Sequence, residues 1–433
     1  MTYRPMREIP AQGGWRPGDV LVLFGELFGR GYANGIVDEA RRAGMTLVGA
    51  TVGRRAGDGP LRPLEPAELA EAEASLGGRI VNVPLEAGFD LEPAGDGPSP
   101  VAQLKTARAD AWEALALDWE LVARSREAGA RRFERSAAAF AEELGRLVPA
   151  GANVLFVHTM AGGFPRTRLN MPIMARLFRG TGDKFLPSAE LWKGELGKLW
   201  AWSFDEVSAR TFERLIQATA PLRERGGRVR YVAYGYHGCE VLVGGRPTWQ
   251  TYVPYLQGGA KRLLEQFAED AWAQGVRCSV FNAPEIWTNS SALFRGVEVS
   301  LYPLLEAIRR EGGGVAPADE AWRRCRALLA EGASLEGLLA RADAFLASPA
   351  LAPFRSFDAW PFHSERAQTE AMLAASDACM AMSADPRNPV CGELSRQVFQ
   401  AVGRLMLDAA WEPASPVTWL GHDVIARRLA RGE

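Results

Sequence analysis

Short apolar runs alternate with amphipathic stretches along most of the chain. The run Asp19–Phe24 (DVLVLF) ends at Gly25 and predicts a buried strand. The stretch that follows, YANGIVDEARRAG, spaces its apolar residues as a helix does and stops at Gly44. Further buried strands are predicted at Thr46–Val52, Arg79–Leu85, Asn153–Thr159, Arg228–Gly235 and Val276–Pro284. Helices are predicted between them, and from about Ser300 onward the pattern predicts helices alone. Strands separated by helices pair in parallel through right-handed crossovers, and strands without polar alternation lie in a sheet covered on both faces. The expected fold is α/β, a doubly wound parallel sheet of Rossmann-like type. Residues 1–310 are expected to form the catalytic domain, with a Gly-, Pro- and Arg-rich insertion near 162–203. Residues 311–433 form a helical C-terminal extension, packed on that domain or standing apart from it.

Composition narrows the function classes. The 433 residues carry 50 basic and 52 acidic side chains, a net charge of −2, which argues against a nucleic-acid-binding surface. Five scattered cysteines without a CxxC pair give no disulfide framework or zinc site. His363 and His422 lack metal-ligand spacing. No apolar run is long enough to span a membrane and the N-terminus has no apolar signal core, so a cytoplasmic protein is expected. Only five of the basic residues are lysines, at 105, 184, 193, 198 and 261. Arginine does not replace a compact ammonium where one is required, so each lysine is worth inspecting. Lys193 and Lys198, amid Trp192, Trp200 and Trp202, either offer basic contacts to an acidic carrier protein or form a solvated helix face.

The first strand runs into Gly25-Glu26-Leu27-Phe28-Gly29-Arg30-Gly31 and then a helix. Glycines at 25, 29 and 31 in that context allow a tight turn and close approach of backbone to a pyrophosphate. Their spacing is that of short-chain dehydrogenases, and a bound NADPH or NADH is expected. Arg54 and Arg55, after the second strand, suit the 2′-phosphate of NADPH, whereas nearby Asp58 suits the 2′-hydroxyl of NADH. His158 ends the fourth strand beside the expected cofactor cleft. The loop Ala283–Thr288 follows the sixth strand, where backbone at Ile286 and Thr288 would meet the nicotinamide amide. Trp287, Leu293 and Phe294 would wall an acyl chain, or simply pack beneath the loop.

The segment after the fifth strand offers Tyr234, Tyr236, Tyr252, Tyr255 and Lys261. A helix beginning at Pro254 would leave Tyr252 in the incoming loop, free to approach the lysine, and set Tyr255 about 120° from it. Thr248, Trp249, Tyr252 and Lys261 resemble, in register, the active-site segment of the trans-2-enoyl-CoA/enoyl-acyl-carrier-protein reductases with a Tyr-x8-Lys motif. Tyr236-His237-Gly238 is similar to that family's upstream Tyr-x-Gly, and Thr288–Ala292 to its region after the sixth strand. The resemblance covers about Arg228–Gly312; Arg54 departs from it, standing where an acidic, NADH-selecting residue is expected.

The resemblance implies hydride transfer from NAD(P)H to the β-carbon of an enoyl thioester on acyl carrier protein or CoA, in fatty-acid synthesis. Tyr252 would stabilise the enolate oxygen, Lys261 would hold the cofactor ribose, and Tyr236 would assist the carbonyl or the proton. A ketone reductase or alcohol dehydrogenase of the same fold, and a cofactor-binding sensor without chemistry, stand as alternatives. Oligomeric state is not predicted.

Overall fold

Each apolar run is rich in β-branched and aromatic residues and is bounded by glycine or polar residues, which is what a doubly covered strand requires. In the computed structural model, which describes residues 3–57, 59–251, 258–288, 293–358 and 363–432, these runs become β1 (Val20–Phe24), β2 (Thr46–Thr51), β3 (Arg79–Pro84), β4 (Val154–His158) and β5 (Val229–Gly235). A hairpin of β6 (Gly238–Val243) and β7 (Arg246–Thr251) follows, then β8 (Cys278–Asn282) and β9 (Val417–Trp419). The main sheet has seven parallel strands in the order β3-β2-β1-β4-β5-β8-β9, the doubly wound arrangement.

Alternate residues of the central strands enter two different cores. Leu21, Leu23, Leu155, Val157, Val232 and Phe281 face one, and Val20, Val22, Phe24, Phe156, Tyr231 and Val280 face the other. The second core is closed by the helices Trp119–Leu147, Thr211–Ala218 and Gly258–Ala273. The first is closed by Tyr32–Arg42 together with Leu304–Gly312, Val390–Trp411 and His422–Ala430. The C-terminal helices therefore supply one of the two layers that cover the sheet. The region 162–203 contains the helices Asn170–Arg179, Ser188–Lys193 and Glu195–Phe204, which build a third core with Phe89, Trp112 and Ala260.

Two elements depart from the sequence expectation. The C-terminal region is not wholly helical: Val417–Trp419 returns to the sheet as its edge strand, pairing with β8. Three residues are too few to leave a periodic signal. The segment between Tyr236 and Thr248, where no strand is predicted above, is an antiparallel hairpin turning at Gly244-Gly245 with φ of 56° and 73°. A Gly-Gly pair between two apolar runs is a hairpin signal, so this element was legible in the sequence. Glu240 anchors the hairpin, accepting from Tyr3 Oη at 2.6 Å and Arg7 Nη2 at 2.8 Å.

The crossing of Tyr32–Arg42 over Val390–Trp411 is unusually close. A methyl group on Gly35 would overlap the Phe399 carbonyl oxygen, and one on Gly403 would overlap the Gly35 backbone. Helix propensity alone favours Gly403→Ala by about 1 kcal/mol. Overpacking reverses the sign here, and we expect Gly403→Ala to destabilise by about 2–3 kcal/mol in urea titration. Unchanged or increased stability would show that the two helices separate freely.

Candidate active site

The site lies where the strand order reverses, at the carboxyl ends of β1 and β4, the usual ligand crevice of an open α/β sheet. Gly25 has φ 137°, and a side chain there would strike Thr159 Oγ1, so glycine allows the ends of β1 and β4 to approach. Gly31, with φ 151°, forms the N-cap of the Tyr32–Arg42 helix. Asn34 Nδ2 braces the turn, donating to Phe28 O at 2.9 Å and Gly31 O at 3.1 Å.

Two cavities flank this turn. One of about 300 Å³ is lined by Gly31, His158, Tyr236, Lys261, Ile286 and Thr288, among others. The other, of about 410 Å³, lies between the ends of β1 and β2 and the Pro66–Leu76 helix, and is lined by Gly25 and Arg54. Glu26 and Phe28 line both, so the cavities meet there. Gly29 belongs to the turn and lines neither. Two cavities joined across a glycine turn at a helix N-terminus fit the two halves of an extended dinucleotide.

Lys261 sits on the Gly258–Ala273 helix and is 1% exposed; the other four lysines are exposed. Its Nζ donates to Tyr234 O at 3.1 Å and lies 5.1 Å from the centre of the Tyr236 ring. Burial lowers its pKa from 10.5 to about 7, against the opposing pull of Glu265. Glu265, one helical turn on, is buried and accepts from Asn282 Nδ2 at 2.6 Å. Its other oxygen lies 3.2 Å from His237 Nδ1, and Asn282 Oδ1 accepts the His237 amide at 3.1 Å. This network ties the backbone beside Tyr236 to the lysine helix. The spacing of four between Lys261 and Glu265 was the available sequence signal that they share a face.

Tyr236, whose ring faces the lysine, tilts against Tyr32 with ring centres 6.5 Å apart, and Tyr32 stacks on Tyr234 at 5.5 Å. Burial raises the hydroxyl pKa of all three, so they remain protonated donors. Tyr252 and Tyr255, with Pro254, lie outside the described residues. The hairpin delivers the chain to them, since β7 ends at Thr251.

His158 is buried, with Nε2 at 2.8 Å from Thr211 Oγ1. That hydroxyl donates to Val207 O at 2.8 Å, so it accepts from Nε2–H, and the imidazole carries its proton on Nε2. Burial and Lys261 lower its pKa and keep the ring neutral. Nδ1 therefore offers a lone pair on a residue that lines the cavity, without a partner among the described residues. Thr211 follows a π-helical turn at Asp205–Arg210, a deformation often found where a helix serves a site.

Two carboxyl groups were not recognised from sequence. Glu285, in the loop after β8, lines the first cavity; burial and Glu298 raise its pKa from 4.5 to about 8. Its Oε2 has no partner among the described residues. Glu26 reaches from the glycine turn to the end of β2. Its Oε1 accepts from Thr51 Oγ1 at 2.8 Å, Val52 N at 3.2 Å and Arg54 Nη1 at 2.7 Å. Arg54, the residue that inclined the sequence towards NADPH, is thus engaged by a carboxylate. Arg55 points elsewhere, pairing with Glu86 at 2.6 Å. Asp58 lies outside the described residues.

Other candidates fall into structural roles. Trp200 is buried and donates to Asn170 Oδ1 at 3.1 Å, Trp202 packs on Trp119, and Lys198 pairs with Glu195 at 3.3 Å. Phe294 lines the first cavity and packs on Phe178 of the 162–203 region, at 4.7 Å between ring centres.

The family model for enoyl-acyl carrier protein reductase FabMG matches residues 2–429 of the chain. An apo structure of FabMG, described as a novel type of enoyl-acyl carrier protein reductase, is 47% identical, with a TM-score of 0.95 over 99% of this chain and 97% of that one. An NADH-bound structure of FabMG is 39% identical, with a TM-score of 0.80 over the whole of both chains. No curated protein matches the chain.

Glu285 makes stability depend on pH. Its folded pKa, about 8, lies above its unfolded value of about 4.5, so folding favours the protonated form. That contribution is complete below the unfolded pKa and is lost as pH rises through about 8. Relative to Glu285→Gln, the wild type should lose about 2–4 kcal/mol between pH 4.5 and 8.5 in urea titrations. Parallel pH profiles for the two proteins would show that the carboxyl is not buried as described.

Proposed function

The chain belongs to the FabMG family of enoyl-acyl carrier protein reductases, and on that premise we propose that the paired cavities bind NADH beside a trans-2-enoyl thioester carried on acyl carrier protein. The observation that carries this reading is Lys261, a buried ammonium at the floor of the cavity with one backbone acceptor and a ring above it. A buried ammonium keeps its charge only where acceptors compensate it. Ribose hydroxyls in the first cavity would supply them.

When bound, the reduced nicotinamide supplies the hydride that the β-carbon of the substrate receives. Gly25, Gly29 and Gly31 admit the diphosphate against the helix N-terminus, and Arg54 lies at the adenosine end. His158 Nδ1 accepts a ribose hydroxyl. Backbone at Ile286 and Thr288 would hold the carboxamide of the nicotinamide.

Negative charge grows on the thioester oxygen as the β-carbon is reduced, and donors fixed in advance are worth most against such charge. Tyr252 donates to that oxygen, a role that rests on its nine-residue separation from Lys261 and on the Tyr-x8-Lys resemblance. Lys261 adds positive potential beneath it. Tyr236, held beside the lysine by the His237–Glu265–Asn282 network, assists the carbonyl or the proton that reaches the α-carbon. Residues 1–310 supply this site and 311–433 the layer behind the sheet, with 162–203 beside the acyl end. We place the reaction in the cytoplasm; no helix among the described residues is long and apolar enough to cross a membrane.

NADH oxidation with a crotonyl thioester is the assay. Lys261→Met, which keeps the volume and removes a buried charge, should fold at least as stably as the wild type while losing about 100-fold or more in turnover. Lys261→Arg should be similarly impaired, because a guanidinium does not fit the space of an ammonium. Tyr252→Phe should lose activity and Tyr255→Phe should keep it. An active Lys261→Arg enzyme, or the reverse result for the tyrosines, would contradict the assignment.

A further inference from the structure

We propose that Glu26, in the glycine turn, selects NADH over NADPH by receiving the adenosine ribose 2′-hydroxyl and repelling a 2′-phosphate. This inference rests on the dinucleotide reading above and assigns a determinant that the β2 sequence does not contain. In most doubly wound dinucleotide sites an acidic residue at the end of β2 takes this role. Here the end of β2 carries Thr51, Val52 and Arg54 instead, and all three direct donors at Glu26 Oε1. The carboxylate thus comes from the β1 side but is held at the β2 end.

Three donors occupy Oε1, while Oε2 accepts no hydrogen bond among the described residues. Glu26 also lines both cavities, so its side chain stands where the adenosine half meets the rest of the molecule. A carboxylate oxygen there is an acceptor suited to a hydroxyl and opposed to a phosphate, which carries nearly two negative charges at pH 7.

The surrounding charges favour the same choice. The second cavity is lined by the carboxylates of Glu26, Glu68 and Glu71 and by one guanidinium, that of Arg54. Arg54 is already paired with Glu26, and Arg55 with Glu86 and Glu92. A cation that would welcome a 2′-phosphate is therefore held by the group that would repel it. Removing the Glu26 charge both relieves the repulsion and frees Arg54.

Equilibrium binding of NADH and NADPH to the full chain, followed by calorimetry or by nucleotide fluorescence, tests this without turnover. The wild type should bind NADH about tenfold or more tightly than NADPH. Glu26→Gln should weaken NADH by about tenfold and tighten NADPH by about tenfold, as expected for a charged hydrogen bond exchanged for a relieved repulsion. Adding Arg54→Ala to Glu26→Gln should abolish the NADPH gain. Thr51→Val, which loosens the carboxylate but keeps it, should shift the ratio in the same direction by less. An unchanged NADH/NADPH ratio in Glu26→Gln, with NADH still bound by the wild type, overturns the role of Glu26 alone. A wild type that binds neither nucleotide overturns the dinucleotide reading and this inference with it.

Discussion

A lysine ammonium at 1% exposure is the constraint around which the site is built. Moving a charge out of water is costly unless acceptors replace the lost hydration. Lys261 receives one such acceptor from Tyr234 O and an aromatic face from Tyr236, and its proton affinity falls to about neutrality. The compensation requires β5, its exit towards the hairpin and the lysine helix to keep fixed relative positions. Glu265 supplies that fixity by bridging Asn282 at the end of β8 and His237 after β5. The polar network and the parallel sheet are therefore one mechanical unit: slipping β5 against β8 would break both.

The cavity walls extend the same logic. Neutral His158, three protonated tyrosines and a Glu285 carboxyl raised to about 8 surround a lysine lowered to about 7. Burial moves each group towards its uncharged form, which leaves donors and acceptors in place of fixed charges. Such a pocket suits the neutral ribose and apolar acyl thioester proposed for it, since donors and acceptors without fixed charge respond most to charge that appears during reaction. The second cavity has a different lining, in which carboxylates outnumber the one arginine.

Much of this was legible in the sequence, and the exceptions have physical reasons. Six strands appear within two residues of their expected limits because fully buried strands carry uninterrupted apolar runs. The seventh, Val417–Trp419, is short and lies far along the chain from its partner β8, so neither periodicity nor proximity marks it. The lysine stood out because lysine is scarce here. Gly31, His158, Ile286 and Thr288 could be placed near it because a doubly wound sheet sends its strand ends to one crevice. Glu26 could not, since its meaning depends on which strand end its side chain reaches. Arg54 stands out in the sequence as a candidate for the cofactor, but its pairing with Glu26 depends on a contact that the sequence does not show. Of the tryptophans around the exposed Lys193 and Lys198, Trp200 enters the core of an inserted helical layer and Trp192 and Trp202 pack against it, a burial that the local sequence does not signal.

The reaction we propose passes hydride from NADH to the β-carbon of an enoyl thioester in the cavity above Lys261. NADH carrying deuterium at both C4 positions, incubated with the protein and crotonyl-acyl carrier protein, tests it directly by mass spectrometry and NMR of the released acyl group. One deuterium on the β-carbon of a saturated butyryl product is the predicted result. A reduced carbonyl carbon, or a butyryl product free of deuterium, would contradict the account.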